Sequence, residues 1–401
     1  MSFTILRSLI VFIMNRLFPV WLCWLCWLCF MFSLLTHQYA SSRWKEEPDF
    51  HVSRFPPILP ISPQSIPNYP AIRSQCTPQV DIEPNYRSFL PRLQDLLDRY
   101  ARQVVSCYQQ GNSSCLTFEG SEGIFASTPY SENDLNPTFP QSYPVEIQSA
   151  SCQSQPRVII GIPTSPSQYA ERLAIRTTWC NSTNIKSSQL KCIFFAAYDT
   201  VETHHNNYLK EEAEYYGDIV QFHFQNNYLN LTQLQFSSYN WTIHHCPSIQ
   251  YYIRSDSDMF VNPKFIQNYL IPYPRTAFAY GVYIHRGRPI RYRTSKYYLP
   301  EWLYPLDFFY PYHSGCFYIW SKDILQLIVN AFSTVRPIHY IDDVYYGQIF
   351  HEYNISLKRA YNTIFWDQAP LSVDLWRKKA AAHRYSPVDL VAISILSKSS
   401  G

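Results

Sequence analysis

Short apolar runs alternate with helical patterns from residue 157 onward, and this alternation constrains the fold more than any other feature of the chain. Each run predicts a buried strand, and each segment between two runs predicts a helix. Strands and helices joined by short links are typical of a mainly parallel sheet with helices on both faces. We therefore expect one α/β domain over residues 156–398, a length within the usual range of a single domain. The predicted strands are 158–162, 192–198, 218–224 and 251–253, and the predicted helices lie within 165–179, 201–215 and 231–245.

An acidic turn follows the strand that begins at Tyr251. Asp256 and Asp258 stand one residue apart where this strand ends, and the apolar pattern resumes at Met259. Two carboxylates at the end of a core strand repel each other and are costly to desolvate, and a cation removes that cost. Oxygen ligands suit Mg²⁺ or Mn²⁺, and open α/β sheets bind ligands at this edge. An isolated Asp-x-Asp is more often a solvated turn, so the choice between a metal site and a solvated turn depends on the rest of the chain.

The N-terminal region carries an uncharged apolar run, residues 17–35, that is long enough to cross a bilayer. Basic residues flank it in nearly equal number on both sides, so their count does not give an orientation. We interpret it as a single-pass transmembrane signal anchor after a cytoplasmic tail, residues 1–16. The alternative is a cleaved signal peptide ending near Ala40, but the run is long for such a peptide.

Glycosylation sequons and cysteines favour a lumenal location for the rest of the chain. Eight of the eleven cysteines follow the apolar run, which suggests disulfides whose pairing the sequence does not supply. Five sequons together favour a glycoprotein. Their acceptor residues are Asn112, Asn181, Asn230, Asn240 and Asn354.

Residues 36–155 are rich in Pro, Ser and Asn, a composition typical of an extended stem. Within the stem, residues 89–108 have helical apolar spacing, and this helix would pack on the body or on a second copy in a homodimer. The net charge is only +3 and no block of Lys or Arg stands out, so nucleic acid is not an expected partner.

Seven segments, in order along about residues 157 to 396, carry further motifs. They are Arg172-Leu-Ala-Ile-Arg176-Thr-Thr-Trp179, Glu214-Tyr-Tyr-Gly217-Asp218-Ile-Val-Gln221, the pair Trp241 and Cys246, Asp256-Ser-Asp258-Met-Phe-Val-Asn262, Tyr310-Pro-Tyr312-His-Ser314-Gly315, Asp342-Asp343-Val344-Tyr345-Tyr-Gly347 and His383-Arg-Tyr-Ser-Pro387. As an ordered set they resemble the inverting β-1,3-glycosyltransferases of glycosyltransferase family 31, the galactosyltransferase and N-acetylglucosaminyltransferase group. The resemblance implies a GT-A-type nucleotide-sugar-binding fold.

The donor side of the site follows from these motifs. Asp256 and Asp258 are the expected ligands of Mn²⁺ or Mg²⁺, and His383 would complete the set, because neutral imidazole is an accepted ligand for such ions. Arg172 and Arg176 lie four residues apart on one helical face, and with Asp256 they are the predicted donor-binding residues. The two arginines would pair with phosphate or fix the donor loop. The alternative is an internal ion pair with Glu171 or Asp199.

The acceptor side rests on two further motifs. The resemblance assigns the general base to Asp343, at the acidic start of a predicted helix whose dipole favours the carboxylate form. Asp342 would then cap the helix or contact the acceptor, and Tyr310 and Tyr312 would contact the acceptor sugar. A single base and attack opposite the leaving group imply inversion at the anomeric carbon.

The expected function is transfer of galactose or N-acetylglucosamine from a UDP-sugar to a glycan acceptor in β-1,3 linkage, by a type II protein of the Golgi membrane. Asn226 and the absence of a lysine after Thr232 depart from the family pattern. They leave open a catalytically inactive relative that acts as a lectin-like or scaffold protein in the secretory pathway. A third hypothesis is an unrelated α/β protein with a structural Ca²⁺ turn.

Overall fold

The computed structural model describes the globular body and one helix of the predicted stem. The described residues are 86–110, 142–181, 189–270, 275–293, 295, 297–335, 341–360, 364–368 and 373–399. The predicted tail, the predicted anchor and the Asn112 sequon lie outside these residues. None of the helices that the structure describes is both long enough and apolar enough to cross a membrane.

Helices and strands alternate along the first half of the body, as the apolar pattern predicts, and the second half adds elements that the pattern did not predict. The helices are α1 Tyr86–Gln109, α2 Tyr169–Thr177, α3 His204–Tyr216, α4 Leu231–His245, α5 Pro263–Phe265 (continued by a π turn, Ile266–Leu270), α6 Lys322–Ala331, α7 Asp342–Glu352, α8 Val373–Lys378 and α9 Pro387–Ser399. The strands are β1 Val145–Ile147, β2 Val158–Thr164, β3 Leu190–Tyr198, β4 Ile219–Gln225, β5 Tyr251–Ser255, β6 Phe260–Val261, β7 Ala279–Ile284, β8 Tyr312–Ser321, β9 Leu357–Arg359, β10 Ile364–Gln368 and β11 Ala381–His383.

Eight strands form the main sheet in the order β1-β4-β3-β2-β5-β8-β7-β9. The central strands β4, β3, β2 and β5 run parallel, which confirms the predicted parallel core. Beyond β5 the sheet becomes antiparallel through β8 and β7, and β9 adds a parallel edge. Because β3 and β5 lie on opposite sides of β2, the chain reverses its winding direction there, and such a point opens a crevice at the carboxyl ends of the strands.

Helices cover both faces of the sheet, as predicted. The side chains of β2 alternate between two separate buried clusters, because successive residues of a strand point to opposite faces. Ile160 lies in a cluster with side chains of α1, α2, α3 and α9. Ile159 lies in the other cluster, with side chains of α4, α6 and α7.

The stem helix α1 belongs to the body. It extends the predicted 89–108 segment by three residues at its start and one at its end, and it packs on α9, α2 and α3. Its inner face is buried at Phe89, Leu93 and Leu97. The backbone N–H of Tyr86 donates a hydrogen bond to Glu211 of α3 at 2.7 Å.

Candidate active site

The acidic turn lies where β5 ends, at the crevice edge of the sheet. The backbone N–H of Asp256 donates to the carbonyl of Cys316 in β8 at 3.0 Å, so the turn is attached to the neighbouring strand. Met259 is fully buried and anchors the far end of the turn. Between these anchors the side chains of Asp256 and Asp258 keep a third to almost a half of their surface exposed, so both carboxylates remain accessible to a ligand.

A small second sheet brings His383 to this turn. Strand β11 pairs antiparallel with β6, and the register sets Ala382 opposite Phe260. The residue after Ala382 therefore lies beside the turn, and His383 Nε2 is 3.2 Å from an oxygen of Asp258. One ligand atom from each of Asp256, Asp258 and His383 lies within 4.8 Å of the others, close enough for all three to hold one ion. Two carboxylates and an imidazole suit Mn²⁺ or Mg²⁺ chemically.

Arg254 is a site residue that our sequence analysis missed. It lies in β5 two residues before the first aspartate, is buried, and contacts an oxygen of Asp256 at 3.0 Å. Its guanidinium also lies 3.9 Å from the buried carboxylate of Asp342 at the start of α7. A cation inside an apolar strand is costly to bury alone, so its position before two aspartates was a signal for an internal ion pair. Arg254 thus links the acidic turn to α7.

Asp343 is held by two backbone hydrogen bonds. One carboxylate oxygen accepts from the N–H of Gly315 in β8 at 3.0 Å, and the other accepts from the N–H of Val344 at 2.8 Å. Burial, and next the adjacent charge of Asp342, raise the pKa of Asp343 to about 7. A β-carbon at Gly315 would lie 3.1 Å from a guanidinium nitrogen of Arg254, so a larger residue here would have to displace Arg254 slightly.

Asp342 is buried at the start of α7. The N-cap of α7 is Ile341, with no side-chain capping bond, and Asp342 is only 4% exposed. Asp342 is therefore not the N-cap residue, and its contact with an acceptor stays a prediction. Its carboxylate lies 3.9 Å from the buried guanidinium of Arg254 and gives that cation a second counter-charge.

Arg172 and Arg176 bind carboxylates of the protein, but not the predicted ones. Both pair with Glu212 of α3, and Arg176 also pairs with Asp218, so the predicted partners Glu171 and Asp199 are wrong. These partners come from a neighbouring helix and from the link between that helix and β4, which helical spacing alone does not reveal.

The fully buried Arg172 also holds the loop after β2. Its guanidinium donates to the carbonyls of Ser165 at 2.7 Å and Pro166 at 3.0 Å. The same loop reaches the acidic turn, because Gln168 Nε2 lies 3.5 Å from Ser257 Oγ. These contacts fit the loop-fixing version of our prediction.

The predicted acceptor tyrosines lie beside α7. Tyr312 is buried at the start of β8, and burial together with the charge of Asp343 raises its pKa well above 10. Tyr310 stacks on His351 with 4.1 Å between ring centroids. A β-carbon at Gly347 would lie 2.7 Å from that of Tyr312, so this glycine permits α7 to approach the strand.

The predicted lumenal features are present in part. Disulfides join Cys152 to Cys246 and Cys180 to Cys192, and Cys316 is a free, buried thiol among the described cysteines. Among the predicted sequon residues in the described ranges, Asn354 is exposed, and three are half-buried: Asn181, Asn230 and Asn240.

Comparison with known proteins identifies the class. The galactosyltransferase family model matches residues 170–360, which include the acidic turn, Asp342 and Asp343. Human β-1,3-galactosyltransferase 5 is 30% identical over 273 residues, which cover 65% of this chain and 87% of that protein. The lactosylceramide 1,3-N-acetyl-β-D-glucosaminyltransferase of Xenopus tropicalis is 33% identical over 206 residues, or 49% of this chain and 54% of that protein.

The protein belongs to the galactosyltransferase family and is a hexosyltransferase. This excludes the hypothesis of an unrelated α/β protein with a calcium turn. Two solved structures, a glycosyltransferase involved in glycosylation of the major capsid of PBCV-1 and the galactosyltransferase LgtC, match at 12% and 10% identity with TM-scores of 0.29 and 0.32. They cover 60% and 59% of this chain, and 100% and 95% of their own chains.

Proposed function

We propose that this protein is an inverting β-1,3-hexosyltransferase of the GT-A type, which transfers galactose or N-acetylglucosamine from a UDP-sugar to a glycan acceptor. One observation carries the proposal. The candidate metal ligands Asp256, Asp258 and His383 lie together where β5 ends, and Arg254 joins them to the start of α7, because it pairs with Asp256 and with Asp342, the residue before the candidate base. The curated relatives named above support the sugars and the linkage.

The donor side uses Asp256, Asp258 and His383, which would hold Mn²⁺ or Mg²⁺. A bound divalent cation neutralises the diphosphate of the donor as it leaves. Burial, and then the neighbouring charge of Asp258, raise the pKa of Asp256, while the Arg254 guanidinium lowers it. Arg254 therefore helps to keep this ligand ionised.

The loop after β2 completes the donor side. Arg172 is fully buried and its guanidinium is bonded to Glu212 and to the loop carbonyls. We assign both arginines a positioning role: Arg172 holds the loop after β2 near the acidic turn, and Arg176 holds Glu212, the shared partner of the two arginines. In this role the loop contacts the donor, and the arginines do not have to bind the donor phosphate themselves.

The acceptor side uses Asp343 as the general base. Its two backbone hydrogen bonds fix the carboxylate, and a pKa of about 7 is close to the value at which proton removal from a hydroxyl is most efficient near neutral pH. The acceptor hydroxyl loses its proton to Asp343 as its oxygen attacks the anomeric carbon. The bond to the diphosphate breaks on the opposite side, so an α-linked donor gives a β-linked product.

The same proposal places the protein in the Golgi membrane, with the signal anchor at residues 17–35 and the body in the lumen. The two disulfides support an oxidising compartment. The alternative of an inactive lectin-like or scaffold protein finds no favourable observation, because the candidate ligands and the candidate base are all present.

A transfer assay tests the proposal. The full chain is incubated with UDP-galactose or UDP-N-acetylglucosamine, Mn²⁺ and a set of glycan acceptors. We expect metal-dependent transfer that falls at least about 100-fold in Asp343→Asn, since general bases contribute on this order. Asp95→Asn, an exposed aspartate of α1, is the matched control. Equal transfer by Asp343→Asn and wild type would refute the assigned base.

A further inference from the structure

A basic, aromatic surface borders the acceptor side of the site. Residues 285–300 contain no Asp or Glu but carry four arginines, so a segment of concentrated positive charge lies within a nearly neutral chain. We did not predict this segment, because one or two uncharged residues separate its arginines and they do not form a continuous block. The arginines are Arg286, Arg288, Arg291 and Arg293.

Two of these arginines make cation–π contacts with the same ring. The guanidinium carbons of Arg286 and Arg288 lie 4.5 and 4.8 Å from the centroid of the Phe308 ring, and both arginines are exposed. Among the described residues, no carboxylate lies within ion-pair distance of either one. Cation–π contacts orient a guanidinium but do not neutralise its charge, so both charges remain available to an anion.

The other two arginines differ in how they are held. Arg291 is occupied, because its guanidinium donates to the carbonyls of Leu299, Tyr304 and Leu306 and thereby shapes the loop. Arg293 is exposed and lies 5.9 Å from the Tyr298 ring. The outward positive charge therefore belongs to Arg286, Arg288 and Arg293.

The backbone between these two arginines adjoins the proposed acceptor site. The N–H of Phe309 donates to the carbonyl of Gly287 at 2.8 Å, which joins the two halves of the loop. A β-carbon at Gly287 would lie 3.0 Å from the hydroxyl of Tyr312. Tyr312 and Phe309 lie in one buried cluster with Val344, the residue that follows Asp343. The residue between the two arginines thus packs against the cluster that adjoins the candidate base.

Exposed apolar side chains, three of them aromatic, accompany the charge. Four of the eight large hydrophobic side chains that are exposed in the described part of the chain lie between residues 292 and 306. Aromatic faces stack on sugar rings, and a guanidinium binds carboxylate or sulfate oxygens through two parallel hydrogen bonds. The four side chains are Tyr292, Tyr297, Trp302 and Leu306.

We infer that the acceptor is an anionic glycan, whose carboxylate or sulfate binds Arg286 and Arg288 while its hydroxyl faces Asp343. This inference rests on the proposed function and names the acceptor class of the same site. A neutral glycan gives neither guanidinium group an anionic partner, so the surface favours acceptors with a negative group near the attacked sugar.

The first test measures binding to defined oligosaccharides. The full chain in detergent, with UDP and Mn²⁺, is titrated with three octasaccharides: hyaluronan, which carries carboxylates; keratan sulfate, which carries sulfates; and chemically desulfated keratan, which is neutral. We expect an anionic probe to bind about tenfold or more tightly than the neutral one, as charge-assisted hydrogen bonds imply. The two anionic probes show which group is recognised.

Paired variants locate the binding. Arg286→Gln/Arg288→Gln should lose the preference for the anionic probe, whereas Arg87→Gln/Arg102→Gln, which removes two exposed charges from α1, should keep it. Equal binding of anionic and neutral probes, or an equal loss in both variants, would overturn the inference. Donor hydrolysis by the wild-type chain is measured alongside. If the chain hydrolyses the donor but shows no preference for anionic probes, only the inferred acceptor class is wrong. If it binds the anionic probes but does not hydrolyse the donor, the proposed function is wrong.

Discussion

At the scale of single residues, the site depends on one buried cation among three carboxylates. Arg254 contacts Asp256 and lies near Asp342, and it is also close to the candidate base Asp343. Sequence patterns identified the three acids, because each belongs to a motif. They did not identify their shared partner, because a single arginine in an apolar strand has no motif.

Removal of Arg254 should destabilise the fold. Arg254→Met leaves Asp256 and Asp342 facing each other without a buried counter-charge, and breaking such a pair costs about 3–5 kcal/mol. The free energy of unfolding from urea titration measures the cost. A second variant, Arg254→Met/Asp342→Leu, should recover part of it. If the single variant is as stable as wild type, Arg254 does not compensate these acids.

The pH dependence of stability should report Asp343. Its pKa is raised to about 7 in the folded protein, so between about 4 and 7 the folded state binds more protons than the unfolded state. This carboxyl therefore stabilises the fold at low pH, and that contribution is lost as the pH rises through 7. Compared with Asp343→Asn, the wild type should lose unfolding free energy over this range. Parallel curves for the two proteins would contradict the raised pKa.

At the scale of elements, the sequence pattern predicted the strands and helices that have a periodicity of their own. It did not predict the elements that form through pairing with distant strands. The parallel strands and their helices follow from apolar periodicity, and α1 was predicted within three residues of its observed start. Strand β11 has three residues and no periodic signal of its own, yet its pairing with β6 sets His383 beside Asp258. The antiparallel half of the sheet depends on long-range register in the same way.

The packing of α1 leads to a prediction about the predicted stem. Leu97 is fully buried against the body, whereas its neighbour Leu96 is only half-buried. Leu97→Ala should lower the unfolding free energy by about 2–5 kcal/mol, because it removes buried methyl groups and leaves a cavity. Leu96→Ala is the matched control and should cost clearly less. Equal costs would show that α1 does not dock through this face.

At the scale of the whole molecule, the site assembles from segments far apart in the sequence. The acidic turn follows β5, the candidate base begins α7, His383 ends β11, and the loop held by Arg172 follows β2. Resemblance to the family indicated these positions, but the geometry joins them through Arg254, through Ser257 and through the small second sheet. The basic surface at residues 285–300 also depends on tertiary structure, because the role we infer for it follows from its packing beside Tyr312.

The most direct measurement is the binding of UDP to the full chain with and without Mn²⁺, by isothermal titration calorimetry. Our account predicts that UDP binds only when Mn²⁺ is present. Asp258→Ala and His383→Ala should therefore lose UDP binding in the presence of Mn²⁺, whereas Asp343→Asn should keep it, because we assign Asp343 to the acceptor side. UDP binding that is indifferent to Mn²⁺, or metal-dependent binding that survives the loss of both Asp256 and Asp258, would contradict the central claim.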